Sequence, residues 1–77
     1  MIKNITANPK ILGGKPIIKG TRISVEFILN LLASNVTEEE ILEDYPEITK
    51  EDIHACFRYA AYSFKNDIYL DIEPVEA

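Results

Sequence analysis

The chain has 77 residues, 47% of them hydrophobic and 27% charged, with a formal net charge of −5. This composition is typical of one small globular domain, residues 1–77, and excludes an intrinsically disordered chain. The single cysteine excludes an internal disulfide. No apolar run reaches the ~20 residues of a membrane span, and the first ten residues contain no apolar core of signal-peptide length. We therefore expect a cytoplasmic protein with no membrane partner.

The charges are unevenly distributed along the chain. Residues 1–25 carry five cations and no acid, whereas residues 26–77 carry three cations and all thirteen acids, so the two parts have charges of +5 and −10. Either the basic part lies over acidic helices and is neutralised there, or two surfaces face different partners. The sequence leaves both interpretations open.

Residues 1–23 predict short β-arms, because proline and glycine punctuate them repeatedly. Gly13-Gly14 is an acceptable two-residue hairpin turn between strands at residues 10–12 and 15–17. Pro16 confines the second strand to a sheet edge, since proline cannot donate a ladder hydrogen bond. A further short strand fits residues 2–6.

The segment ILGGKPIIKGTRIS, residues 11–24, raises the question of a phosphate-binding loop because it combines glycines with cations and has no acid. A Walker loop needs two glycines five positions apart, followed directly by Lys and then Ser or Thr. Here Lys19 precedes Gly20, so the order is reversed, and no large parallel sheet exists to hold the loop. Nucleotide hydrolysis is therefore not expected.

The second part of the chain predicts three helices, because three helix starts of the same design follow one another. Ser24, Thr37 and Thr49 stand at N-cap positions, each with an apolar residue before the cap and an isoleucine four residues inside. Glu40 and Asp52 complete capping boxes with the two threonines. The three staple pairs are Ile23–Ile28, Val36–Ile41 and Ile48–Ile53.

The first helix is apolar on more than one face and ends near Ser34-Asn35. Phe27 and Leu31 widen a stripe that also contains Val25, Ile28, Leu29 and Leu32, so we expect burial on two sides. A domain of this size has a thin core when it stands alone. We therefore expect a homodimer with Phe27 and Leu31 or their neighbours in the interface.

The other two helices have readable ends and faces. The second stops by Asp44, because Tyr45 precedes a proline. The third frays near Asn66-Asp67, so residues 24–66 form a three-helix body and residues 67–77 an acidic tail, which is an edge strand or a flexible arm. One stripe of the third helix holds Ile53, Cys56, Phe57, Ala60 and Phe64, and another holds His54, Arg58, Tyr62 and Lys65.

The sequence offers no catalytic, metal-binding or cofactor-binding residues, so we do not expect an enzyme. His54 and Cys56 are two positions apart on a helix and point to different faces, and Cys56 belongs to the core stripe. Zinc needs three or four ligands at set spacings, which the chain lacks. The run Glu38-Glu39-Glu40 is better explained by the favourable helix dipole in a solvated first turn.

Three short helices suggest a helix-turn-helix topology, whose third helix would enter the major groove of DNA. The second and third helices are rich in acids, which oppose binding to phosphates. Any DNA contact is therefore assigned to the basic part of the chain, as an arm that follows phosphates or enters the minor groove. The candidate DNA-binding residues are Lys10, Lys15, Lys19 and Arg22.

The motifs ITANPKILGGKPIIKGTRISV, YPEIT and RYAAY resemble those of the small prokaryotic proteins of the domain of unknown function 433 family. The resemblance covers about residues 5–62, with Asn8 at a usual Asp, Asn35 at a frequent Gly and Ile48 at a usual Leu. The matching positions are Ile5, Pro9, Ile11, Gly14, Pro16, Ile18, Gly20, Thr21, Arg22, Ile23 and Val25.

The resemblance implies a mainly α, homeodomain-like three-helix fold, often dimeric, and similarity to VapB-type antitoxins encoded beside a PIN-like ribonuclease toxin. It supplies no catalytic residues. Two functions follow: an antitoxin-like protein that binds such a toxin and its own promoter, or a DNA-binding regulator without a toxin partner that uses the basic arm.

Four residues form the candidate structural motif: Gly14, Pro16, Gly20 and Thr21. We expect Gly20 to make a backbone turn that needs positive φ or a close approach. We expect Arg22 to pair with an acid of the helical body or to contact a phosphate.

Overall fold

The computed structural model describes residues 2–65. Two short strands precede three helices, as the mainly α prediction required, and a 3₁₀ turn over Leu12–Gly14 lies between the strands. The strands are β1 (Ile5–Ala7) and β2 (Pro16–Ile18), and the helices are α1 (Val25–Ala33), α2 (Glu38–Asp44) and α3 (Lys50–Ser63).

The strands form an antiparallel hairpin, but the predicted Gly13-Gly14 hairpin turn is wrong. Ala7 pairs with Pro16, so β1 lies before the predicted first strand and a longer loop joins the two. Leu12, Gly13 and Gly14 have φ of 50°, 65° and 85°. Three successive positive φ values build a left-handed turn, closed by hydrogen bonds from the amides of residues 14 and 15, instead of a two-residue connection.

The predicted strand over residues 2–6 forms only in part, because its first half turns. The Ile5 amide donates to the Ile2 carbonyl at 3.3 Å, and Asn4 has a φ of 73°. β1 therefore begins at Ile5. The predicted edge position of Pro16 agrees with the two-stranded sheet, in which the proline is the first residue of β2.

All three predicted helix starts are confirmed. The Ser24 hydroxyl accepts the Phe27 amide hydrogen at 2.9 Å. Thr37 with Glu40 and Thr49 with Asp52 form complete capping boxes, in which each threonine hydroxyl and each carboxylate accepts a backbone amide. These contacts satisfy amide donors that have no partner inside the helix.

The hydrophobic staples bring the three helices to one core. Ile28, Ile41 and Ile53, four residues inside their helices, are fully buried in a single cluster. Burial of each such side chain stabilises the fold by roughly 1.5–3 kcal/mol. Their staple partners pack against the same cluster, with Ile48 buried and Ile23 and Val36 half-buried.

The buried face of α3 differs from the predicted stripe. Phe57 and Phe64 are exposed, whereas Ala55 is buried. Since successive helical residues are about 100° apart, the buried arc is centred between Cys56 and Tyr59. The hairpin packs against α3 and covers this side, which a single-helix pattern does not reveal.

The helix ends agree with the sequence except at the end of α3. α1 closes at Ser34 with Asn35 in the left-handed region, at a φ of 70°, and α2 stops at Asp44. α3 ends at Ser63, before the predicted fraying point. The acidic tail, residues 67–77, lies outside the described residues. Among residues 2–65 no helix is long and apolar enough to cross a membrane.

Candidate nucleic-acid and protein interfaces

The turn between β2 and α1 is built by Gly20 and Thr21. Gly20 has a φ of 84°, which confirms the predicted turn, and a side chain placed there would meet no atom within 4 Å. Conformation and not close approach therefore requires the glycine. The Thr21 hydroxyl donates to the Ile18 carbonyl at 2.8 Å and accepts the Ile23 amide hydrogen at 2.9 Å, which closes the turn.

The other two motif residues position the loop before this turn. Gly14 has a φ of 85°, and a Cβ on it would lie 3.8 Å from the Pro9 Cα atom. Pro16 starts β2 opposite Ala7. Together they place the loop of residues 8–15 beside the Gly20 turn, where it forms one wall of a groove.

Arg22 is exposed, and the expectation that it pairs with an acid of the helical body is wrong. Every acid of that body lies among the described residues, and Arg22 makes neither an ion pair nor a hydrogen bond with any of residues 2–65. Its guanidinium therefore keeps all of its donors available within this part of the chain.

Arg22 borders two neighbouring grooves, of about 550 and 450 Å³. We call the first the donor groove; Thr6, Asn8, Ile17, Gly20 and Thr21 also line it. The second groove lies between Leu12, Lys15 and Phe27. Among residues 2–65 no acidic residue lines either groove, in contrast to the composition of the helices.

The four candidate DNA-binding residues are only partly brought together. Lys15 and Arg22 line the same groove, but the Lys15 ammonium is 3.0 Å from Glu26 Oε1. Lys19 lies beside Lys3 in another groove. Lys10 lies in the loop of residues 8–15, where its amide donates to Asn8 Oδ1 at 2.9 Å. Among residues 2–65 the side chains of Lys3, Lys10 and Lys19 make no ion pair.

The acidic surface consists of α2, the following loop and the first turn of α3. Two contacts between opposite charge types are present within residues 2–65: the Lys15–Glu26 ion pair, and a 4.0 Å approach of His54 Nε2 to Glu38 Oε1 that is an ion pair only when His54 is protonated. Only the first joins the basic part of the chain to the helices. Within residues 2–65, therefore, the basic residues neutralise few of the acids, and most charges of both signs have no ion-pair partner. The unpaired acids are Glu39, Glu40, Glu43, Asp44, Glu47, Glu51 and Asp52.

An aromatic face, which the sequence prediction missed, lies where the hairpin meets α1 and α3. Pro16 and Tyr59 line two adjoining grooves of about 350 and 590 Å³, the first with Tyr62 and the second with Leu29. Tyr62 is 57% exposed and carries the Lys65 ammonium 5.0 Å from its ring centroid. The i, i+3 spacing of the two tyrosines is the sequence signal for a shared face.

The candidate dimer residues differ in their surroundings. Phe27 is 39% exposed and meets Tyr45 edge-on, with ring centroids 5.7 Å apart. Leu31 is half-buried against the core. Phe27 borders the second groove with Arg22, so this part of α1 offers apolar surface next to a cation.

His54 and Cys56, the two residues considered for catalysis, differ in their surroundings. Cys56 is fully buried, and burial, with a smaller contribution from the Asp52 charge, raises the pKa of its thiol to about 11. Such a thiol is a packed core group and a poor nucleophile at neutral pH. His54 is exposed. No group of three or more potential metal ligands lies within residues 2–65.

The chain is similar to a protein of known sequence and to a protein of known structure. An uncharacterized protein of Sinorhizobium fredii (strain NBRC 101917 / NGR234), y4eO, is 36% identical over 56 residues, which are 73% of this chain and 25% of that protein. A crystal structure of a DUF433 member protein from Anabaena variabilis ATCC 29413 is similar with a TM-score of 0.76 and 29% identity, over 80% of this chain and 61% of that one. The chain thus spans a quarter of one relative and less than two thirds of the other.

The family model described as "Protein of unknown function (DUF433)" matches residues 5–60. The match runs from the first strand through the Gly20 turn and the three helix starts into the aromatic face of α3. Because it covers most of the sequence and every described element but the last turn of α3, the chain belongs to the DUF433 family.

Proposed function

We propose that the protein is a non-enzymatic antitoxin, which binds a PIN-like ribonuclease toxin and, through its basic part, its own promoter DNA. The observation that carries this proposal is the lack of internal charge pairing. One ion pair, Lys15–Glu26, joins the basic and acidic parts among residues 2–65. Two surfaces of opposite charge therefore stay available for two partners of different kinds.

The acidic helices suit a basic partner protein. A ribonuclease needs positive charge where it binds RNA, and an acidic surface that covers this charge associates quickly and specifically. Glu39 and Glu43, on α2, are exposed and free of ion pairs within the described chain. They are the acids on which we expect the complex to depend most.

The aromatic face suits the apolar centre of the same complex. Tyrosine is enriched at the energetically dominant positions of protein interfaces, because it buries a large ring and still makes a hydrogen bond. Tyr59 and Tyr62 stand together beside grooves that are mostly apolar. Partner binding would exclude water from these grooves.

The test is co-expression with a PIN-like ribonuclease encoded next to this gene. The ribonuclease alone is expected to arrest growth and cleave RNA, and co-expression should restore growth and yield a copurifying complex. Replacing Glu39 and Glu43 by Gln should weaken the complex, and replacing both by Lys should weaken it further. Growth arrest that persists on co-expression, with no complex at low salt, would contradict the proposal.

A matched pair of α3 variants tests the aromatic face. Tyr62→Ser should weaken the complex, and Phe57→Ser should not. Phe57 is an aromatic residue of similar exposure, 44% against 57% for Tyr62, but it lines neither groove. Equal effects of the two substitutions would show that the face has no special role.

The second candidate is a DNA-binding regulator without a toxin partner. It is favoured by the cations of Lys10, Lys19 and Arg22, which have no acidic partner among residues 2–65. Tight operator binding by a protein that neither binds nor neutralises the neighbouring gene product would favour this alternative.

A further inference from the structure

We infer that the donor groove holds a phosphate group of the DNA backbone, bound by Arg22, by the amides of the Gly20 turn and by the side chain of Asn8. This inference rests on the DNA-binding part of the proposed function. It goes beyond general attraction by cations, because it names one built site with hydrogen-bond donors.

The first observation is that the turn leaves backbone donors unused. The amides of Gly20 and Arg22 donate no hydrogen bond within residues 2–65, whereas Lys19, Thr21 and Ile23 all donate. A turn with a residue of positive φ creates a concavity of amide hydrogens that attracts anions. A Cβ placed on Gly20 would meet no atom of the described chain within 4 Å, so that side of the turn is unobstructed.

The second observation is that Asn8 adds donors without adding charge. Its Oδ1 atom accepts the Lys10 amide hydrogen, so its Nδ2 group keeps two hydrogens for another acceptor. Asn8 and Arg22 line the same groove. An aspartate here would hold the loop in the same way but would repel a phosphate.

The third observation is the chemistry of the groove as a whole. No acid of the described chain, residues 2–65, lines it, and Arg22 brings a planar guanidinium that matches a phosphate with two parallel hydrogen bonds. The Thr21 hydroxyl already donates to Ile18, so the free groups are donors that favour an anionic acceptor. The groove is open, as a site on a long polyanion must be.

The main test measures the affinity of charge-changing variants for a labelled DNA duplex of random sequence at low salt. Arg22→Gln should weaken binding about tenfold, because a charged hydrogen-bonding pair is lost. Asn8→Asp should weaken it by a similar factor, because a carboxylate that repels phosphate replaces the amide donor. Asn30→Asp, an equal charge change on α1 outside the groove, should weaken it by less than about threefold. Arg22→Lys, which keeps the charge without the planar fork, should lie in between.

The second measurement follows the amide resonances directly. Titration with the duplex should shift the Gly20 and Arg22 amides, and inorganic phosphate should shift the same amides only at much higher concentration. If phosphate binds as well as the duplex, the ligand is a free phosphate and the assignment to DNA is wrong. Unshifted amides, or equal effects of Asn8→Asp and Asn30→Asp, would overturn the site itself.

Copurification with the ribonuclease separates this inference from the proposed function. Asn8→Asp and Arg22→Gln should leave the toxin complex and the thermal midpoint of unfolding unchanged. A protein that forms no toxin complex but binds DNA through this groove would keep the inference and remove the antitoxin role.

Discussion

The Lys15 ammonium lies 3.0 Å from the Glu26 carboxylate, and this contact links the basic loop to α1. The two side chains are 60% and 65% exposed, so the pair contributes little to stability. It nevertheless cancels one of the few cations that border the Arg22 grooves. The pair therefore matters for the charge that DNA would meet and much less for folding.

Removing the Glu26 charge should strengthen DNA binding. In Glu26→Gln the Lys15 cation is released, and the salt dependence of log K should become steeper by about 0.9 per subunit. The free energy of unfolding should change by less than about 0.5 kcal/mol. Glu39→Gln removes the same charge from α2, and an equal gain from that control would contradict a specific role of the pair.

The Thr37 capping box should make part of the stability dependent on acidic pH. Hydrogen bonds from the Thr37 amide and hydroxyl lower the pKa of Glu40 below its ordinary 4.5. A lowered folded-state pKa gives stability that is present above the unfolded value and lost as pH falls through the folded value.

Thr37→Ala should cost about 1 kcal/mol at neutral pH, because the helix loses its N-cap side chain. The cost should be smaller below about pH 4.5, because the lost hydroxyl donates to the Glu40 carboxylate and a neutral carboxyl accepts more weakly, while the backbone amide bond to Glu40 remains in both proteins. Urea unfolding at several pH values measures this. Ser63→Ala, which removes a hydroxyl bonded to the Tyr59 carbonyl, should show no such pH dependence. A Thr37→Ala cost that stays constant with pH would argue against the carboxylate contribution.

The helix starts could be predicted because each depends on residues within five positions. The hydroxyls of Ser24, Thr37 and Thr49 each accept a backbone amide hydrogen from the first turn of their own helix. The staple pairs on either side of these caps define the core. The hairpin could not be predicted as well, because Leu12 adopts a left-handed conformation that leucine rarely takes alone. Within the loop the Gly14 and Lys15 amides donate to the carbonyls of Ile11 and Leu12, contacts that a strand-by-strand pattern does not reveal.

The candidate sites were predictable in residue type but not in grouping. The cations of the basic part were visible in the sequence, yet only tertiary structure places Arg22 in a groove with Asn8 and pairs Lys15 with Glu26. The aromatic face needs the hairpin beside Tyr59. The packing of the hairpin on α3 also explains why Phe57 lies outside the buried arc.

Cys56 should be unreactive in the folded protein. Because its pKa is raised from 9.0 to about 11, the folded state binds more protons than the unfolded state over pH 9–11. Stability should therefore fall as pH rises through this window, with a shallower fall in Cys56→Ala. Alkylation should follow global unfolding, and rapid alkylation under native conditions would contradict the burial.

The protein should be a homodimer that uses the exposed part of α1. Light scattering should give twice the chain mass of 8.7 kDa at micromolar concentration. Phe27→Glu places a charge on a 39% exposed apolar position and should yield monomers, whereas Phe57→Glu, at a similarly exposed position on α3, should not. A mass near 8.7 kDa for the unmodified protein would contradict this prediction.

DNA affinity should depend on the basic part of the chain and not on α3. Counterion release rewards only cations close to phosphates, and dimerisation would bring two basic parts together. Replacing Lys19 by Ala should weaken binding across sequences and lower the salt slope by about 0.9 per subunit, whereas Lys15→Ala should have this effect only when Glu26 is also replaced by Gln.

Lys50 and His54 provide the control, because a conventional recognition helix would use the start of α3. The same turn contains Glu51 and Asp52, and the His54 imidazole faces Glu38, so phosphates are repelled there. Replacing Lys50 and His54 by Ala should change the affinity by less than about threefold. The reverse ranking would establish α3 as the reading helix. If no duplex binds at low salt, the basic part serves packing, and the protein-binding function alone remains.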